Sequence, residues 1–77
     1  MTPIDSPSPS AALGQRVRAR RHELRLSQEQ LAEQSGLHRT LVGSVERGER
    51  NVSVNNIVRL AAALEIDAGD LVQGLTQ

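Results

Sequence analysis

Apolar positions recur at helical spacing along most of the chain, and no segment alternates as a half-buried strand does. Leu13, Val17 and Leu24 fall on one side of a segment that also carries Arg16, Arg18, Arg20, Arg21 and Arg25, which predicts a helix over about 11–24. Ser27 opens the next helix, because its hydroxyl can accept an orphan backbone N–H. Gln30, three residues on, completes the pattern of a capping box. Leu31 and Ala32 face inward, and Gly36 suits the left-handed position past the end, so the second helix covers about 28–35. Leu41, Val42 and Val45 mark a third at about 39–47, stopped by Gly48. A polar loop, 48–52, leads to Ser53, which caps a fourth helix at about 54–64. Its apolar stripe of Val54, Ile57, Val58, Leu60, Ala61 and Leu64 is wide enough to meet more than one neighbour. Asp67 caps a short fifth helix at about 68–73, with Leu71, Val72 and Leu75 apolar and Gly74 at its end. The predicted fold is all-α, a compact bundle of five short helices.

The chain has 77 residues, enough for one small domain whose limited core makes oligomerisation a common aid to stability. Residues 1–10, with three prolines and three serines, read as a disordered leader, leaving 11–77 as the folded domain. There is no cysteine, which excludes disulfides and thiolate metal sites. His22 and His38 form no recognisable ligand set, so no metal is expected. Without Phe, Trp or Tyr, modules that stack bases on aromatic rings are disfavoured. No apolar run is long enough to span a membrane and no signal-peptide pattern opens the chain, so the expectation is a soluble cytoplasmic protein with no membrane partner. Neither histidine has a nucleophile to activate, Ser44 lacks the turn of a hydrolase nucleophile, and the glycines form no phosphate loop. The sequence therefore predicts no enzyme, no catalytic residue, no cofactor and no small-molecule ligand. Net charge is zero but unevenly spread. Residues 14–50 carry eight arginines against five glutamates, whereas 51–77 hold Arg59 against Glu65, Asp67 and Asp70. That asymmetry fits a polyanionic partner for the basic part without demanding one.

Residues 27–48 are more specific. Two short helices joined by a tight glycine-containing turn make a helix-turn-helix, whose second helix enters the DNA major groove. Stepping 100° per residue from His38 sends Leu41, Val42 and Val45 to the core side. The opposite arc reads Arg39, Gly43, Arg47, Thr40 and Ser44. Arginine can bond guanine O6 and N7 together, and threonine can use its hydroxyl or lay its methyl on thymine. Gly43 would let a DNA backbone approach closely. A merely solvated face usually carries Glu and Lys; this arc has neither, and its Gly, Thr and Ser are indifferent helix formers.

The stretch SQEQLAEQSGLHRTLVGSVERGERNVS closely resembles the lambda-repressor/Cro-type helix-turn-helix family, also called the XRE family. LGQRVRARR matches the family's first helix, LSQEQLA its second and VERGERNVS the exit from its third. The resemblance implies a lambda-repressor-like fold and a dimeric transcriptional regulator of double-stranded DNA. By position it places Gln28 at a phosphate, bracing the recognition helix. It places His38 and Arg39 at bases, with His38 serving equally as a plain cap residue, and Thr40, Gly43 and Ser44 along the same surface. Arg47, Arg50 and Asn51 stand where the family holds backbone phosphates. Arg21 and Glu46 look like its structural ion pair between the first and third helices. The C-terminal set Ile66, Leu71, Val72 and Leu75 is expected to form a homodimer interface, the alternative being that these residues close the monomer core. Such a dimer would bind a palindromic operator. HRTLVGSVERGERNVS is similar to controller proteins of restriction–modification systems, while an antitoxin-type autorepressor, or a helix-turn-helix used only for protein contact, stays open. Three residues depart from the pattern. Arg20 replaces an apolar core residue and is expected to snorkel along its own helix, Arg25 replaces a common glycine, and Val52 replaces a common proline.

Overall fold

A computed structural model describes residues 8–75, and within them five helices and no strand. They are α1 (Pro9–Glu23), α2 (Gln28–Ser35), α3 (Arg39–Glu46), α4 (Val54–Ala63) and α5 (Ala68–Val72). α1 packs on α3 and α5, α2 on α3 and α4, and α4 on α5, so the contacts close into a ring. Its centre is filled by Leu13 and Val17 of α1, Leu31 and Ala32 of α2, and Val42 and Val45 of α3. Leu60, Ala61 and Leu64 of the fourth helix region and Leu71 of α5 complete it.

The first helix begins two residues earlier than expected. Ser8 is its N-cap, its Oγ accepting from the Ala11 N–H at 3.1 Å, and Pro9 follows at the first helical position. Proline is suited there because the N–H it lacks would have had no partner in any case. Residues 8–10 thus belong to the fold rather than to a disordered leader; the remainder of that expected leader, 1–7, lies outside the described residues. The capping box of α2 is complete, Ser27 accepting from the Gln30 N–H and Gln30 from the Ser27 N–H. Ser53 caps α4 as expected. Asp67 occupies the N-cap position of α5, but its side chain makes no cap hydrogen bond.

Four helices close with the same pair of backbone bonds. After α2, Leu37 N–H donates to Ala32 and Gly36 N–H to Glu33. After α3, Glu49 N–H donates to Ser44 and Gly48 N–H to Val45. After α1 the donors are Leu26 and Arg25, and after α4 they are Ile66 and Glu65. This is the Schellman pattern, which needs one left-handed residue. Gly36 supplies it at φ 74°, but Arg25 and Glu65 adopt φ 58° with full side chains. Arg25 thus closes α1 with the same pair of bonds with which Gly36 closes α2.

Arg20 reaches along α1 and also across it, its Nη1 pairing with Glu23 Oε1 at 3.1 Å. Its Nε donates to the Leu64 carbonyl at 2.9 Å, at the C-terminal end of α4. Arg16, one turn earlier, donates from Nη1 to the carbonyls of Leu71 (3.1 Å) and Gln73 (2.6 Å), at the end of α5. Two arginines of α1 thus satisfy carbonyls that the last turns of two other helices leave without intrahelical partners, with the charge sign the helix dipole favours there.

Candidate nucleic-acid interface

α3 is positioned by a buried polar network at one end and by apolar packing along its inner side. Val42 and Val45 are fully buried and Leu41 half-buried, as the helical period predicts. At the C-terminal end, Arg21 of α1 grips Glu46 with both prongs of its fork, Nε to Oε2 at 2.6 Å and Nη2 to Oε1 at 2.9 Å. Its third nitrogen donates to the Leu26 carbonyl at 2.9 Å. Gln28, the first residue of α2, donates to Glu46 Oε1 at 3.1 Å. The Glu46 side chain is 3% exposed and that of Arg21 10%. Burial pushes the Glu46 carboxyl up, but the bonds from Arg21 and Gln28, with the charges of Arg21 and Arg18, outweigh it and hold the pKa below its ordinary value. The same hydrogen bond to Glu46 raises the Arg21 pKa against the opposing effect of burial. One carboxylate therefore joins α1, α2 and α3 and fixes the angle at which α3 stands out.

The outer side of α3 presents Arg39, Thr40 and Arg47 to solvent. Both arginines rest on acids: Arg39 Nε on Glu29 Oε1 at 3.0 Å and Arg47 Nε on Glu49 Oε2 at 3.0 Å. All four side chains are more than half exposed, so these pairs are cheap to rearrange. His38 stands exposed at the N-cap position of α3 and its imidazole makes no cap bond. Arg50 and Asn51 are exposed in the following loop, where Asn51 Oδ1 accepts from the Ser10 hydroxyl at 3.3 Å.

Two residues of the expected arc do not face outward. Ser44 is 7% exposed, and its hydroxyl proton is committed to the Thr40 carbonyl at 2.9 Å. Gly43 is buried too. A Cβ there would sit 3.1 Å from Arg47 Nη1 and 3.7 Å from Gln28 Oε1, so the open flank that its missing side chain suggests is roofed by two longer side chains. An ideal helical wheel locates Cβ directions but not the side chains that lie across them. Gln28 donates an amide N–H to Glu46, which is the bracing part of its expected role. It braces the recognition helix, and among the described residues it has no other side-chain hydrogen bond.

The C-terminal set divides. Leu71 is 1% exposed and belongs to the monomer core, which corrects its assignment to an interface between copies. Ile66 and Leu75 are half-buried against the same core, and Val72 is exposed. The larger apolar exposure is on α4, where Val54 and Val58, one turn apart, are 75% and 52% accessible. Sequence reasoning counted both in one stripe wide enough to meet more than one neighbour. Val58 is separated by its offset from the buried triplet Leu60, Ala61 and Leu64, whereas Val54 shares the direction of Ala61 and is exposed at the first residue of the helix. The contacts of Glu29 and Arg16, and the bond from Arg20 to Leu64, also escaped sequence reasoning, because these partners come from other parts of the chain.

A short helix with a cationic outer face, seated on a second helix across a glycine turn, is the arrangement of a helix-turn-helix regulator. The Helix-turn-helix family model matches residues 17–71, and the chain belongs to that family of DNA-binding transcription regulators, which are not enzymes. Among its relatives, control protein C.SmaI of Serratia marcescens is 54% identical over 65 residues, 82% of this chain and 77% of that protein. The crystal structure of the restriction-modification controller protein C.AhdI from Aeromonas hydrophila matches with a TM-score of 0.79 at 53% identity, covering 80% of this chain and 94% of that one. The P22 c2 repressor, solved in complex with a synthetic operator, matches with a TM-score of 0.75 at 31% identity over 80% of this chain and 94% of its own. Among the described residues no helix is long and apolar enough to cross a membrane.

Proposed function

We propose that the chain reads a palindromic operator in double-stranded DNA as a homodimer, and that it controls transcription of restriction–modification genes in the cytoplasm. The observation that carries this reading is α3 itself. Its N-terminal Arg39 and Thr40 are exposed toward base edges, Arg39 held only by its solvent-exposed pair with Glu29, while Glu46 fixes its other end in the scaffold. Arg47, Arg50 and Asn51 flank it where phosphates run on either side of a groove. The similarity to C.SmaI and C.AhdI favours the controller role over other regulators of the same fold. The exposed Val54, Val58 and Val72 support a second copy as the partner, since apolar side chains in that number on a domain this small gain from being covered. A twofold pair would set its recognition helices about 34 Å apart, one turn of DNA.

Affinity for a random-sequence duplex, titrated across salt concentrations, tests the phosphate contacts. Log affinity is expected to fall linearly with log salt, by about 0.9 per phosphate neutralised. Arg50→Ala is expected to weaken binding to all duplexes alike and to flatten that slope by about 1. Binding that ignores salt, or no binding at all, would favour a helix-turn-helix used only for protein contact.

A further inference from the structure

Glu29 has no role in the fold that explains its contact. It lies on the first turn of α2, where any acid is favoured by the helix dipole, yet its side chain reaches across the turn to the first residue of α3. The pair is 64% and 70% exposed, so it contributes little to holding the two helices together. What it does fix is which part of Arg39 is engaged. Glu29 takes the Nε–H and, among the described residues, both terminal nitrogens are unbonded. Arginine can approach a guanine in two ways, side-on through Nε and one Nη or end-on through both Nη. With Nε occupied, only the end-on fork remains. The anchor is itself anchored, because the preceding residue, Gln28, is tied to the buried Glu46.

We propose that Glu29 is a positioning residue for base recognition: it holds Arg39 by Nε so that Nη1 and Nη2 meet O6 and N7 of one guanine. This rests on the reading of the chain as a sequence-specific DNA-binding protein and adds a specificity-determining residue to it. At the DNA surface the pair strengthens, since water is excluded and the effective dielectric falls. Glu29 also sets a negative charge near the phosphates, which lowers affinity for every sequence. Its two effects, aiming and repulsion, separate by substitution. Glu29→Gln removes the charge but keeps an oxygen that accepts from Nε. Glu29→Ala removes both.

The experiment is selection of bound sequences from random duplex DNA, with affinities for the selected and a scrambled duplex, for the full chain and for Glu29→Gln, Glu29→Ala and Arg39→Ala. The position that Arg39→Ala relaxes defines the base that Arg39 reads. Wild type is expected to prefer guanine there by about tenfold or more, as a bidentate contact does. Both Glu29 variants are expected to bind scrambled DNA a few-fold more tightly. Glu29→Gln is expected to keep most of the guanine preference, and Glu29→Ala to reduce it to about twofold to threefold at that position while the rest of the motif stands. A merely structural role in α2 would weaken all positions together. A Glu29→Ala motif identical to that of wild type overturns the inference alone, leaving the DNA-reading function intact. A wild type that selects no motif overturns that function and this inference with it.

Discussion

Glu46→Ala is expected to destabilise the domain by about 3 kcal/mol, lowering its melting temperature by roughly 12–24 °C, because it leaves a buried guanidinium without its counter-charge. The Arg21 fork loses both carboxylate bonds at once, and Gln28 loses the acceptor that holds the start of α2. In a domain this small that is a large share of the total stability. The asymmetry of buried pairs supplies the control. Replacing both partners with apolar residues of similar size, as in Arg21→Met with Glu46→Leu, is expected to cost much less than either single change, the main loss being the bond to the Leu26 carbonyl. That double variant is expected to fold and yet to bind DNA more weakly, since Gln28 is no longer tied. Calorimetry of the three variants checks the order.

The same carboxylate makes the effect acid-sensitive. Its pKa is lower in the folded chain than the unfolded value of about 4.3. The stabilisation it carries is therefore fully present above about pH 4.3 and is lost as pH falls through the lower folded value. The stability gap between wild type and Glu46→Gln is expected to be constant from neutrality to about pH 5 and to shrink in more acidic solution. A gap that widens on acidification would mean that folding raises the carboxyl's pKa instead of lowering it.

Gly14→Ala is expected to destabilise by about 2 kcal/mol or more, although alanine is the better helix former by about 1 kcal/mol. A Cβ at this position would press on the backbone of α3, against the Val45 carbonyl oxygen and, at 2.8 Å, the Glu46 carbonyl oxygen. No rotamer change relieves a clash with backbone, so α1 and α3 must separate, and the geometry of the Arg21–Glu46 pair goes with them. Gly69→Ala is the matched control. Nothing lies within 4 Å of its added methyl, so there the propensity gain stands alone and stability is expected to rise by about 0.5–1 kcal/mol. Thermal unfolding of both variants reads the contrast. Equal shifts in the two would show that α1 and α3 are not in close backbone contact.

Gly14 also shows where sequence reasoning stops. Within α1 it reads as a mild cost to helix formation, and only the approach of α3 explains it. The helices themselves were legible because their ends are encoded locally. Ser27 with Gln30, Ser53, Gly36 and Gly48 each signal a terminus through bonds spanning three to five residues, and the structure places α2 and the start of α4 where those signals do. The start of α1 was encoded equally locally, in Ser8 followed by Pro9, but its composition matched that of the serine- and proline-rich segment before it. The Arg21–Glu46 pair was legible only through family resemblance, whereas the clamps made by Arg16 and Arg20 were not, since the carbonyls they meet have no sequence signature. On α3, periodicity correctly separated Val42 and Val45 from Arg39, Thr40 and Arg47. It failed at Gly43 and Ser44, where a neighbouring guanidinium and a back-bonded hydroxyl close the surface. At the C-terminus, apolar content alone did not separate Leu71, which fills the core, from Val72, which remains exposed.

The central claim is that Arg39 and its neighbours on α3 read base sequence as a twofold pair. It is tested most directly by selection of bound sequences from random duplex DNA at near-physiological salt, comparing wild type with Arg39→Ala. The account predicts a palindromic motif with half-sites about one helical turn apart, relaxed in the mutant at the same position of both halves. A wild-type pool that stays random, or a motif that Arg39→Ala leaves unchanged, would contradict it.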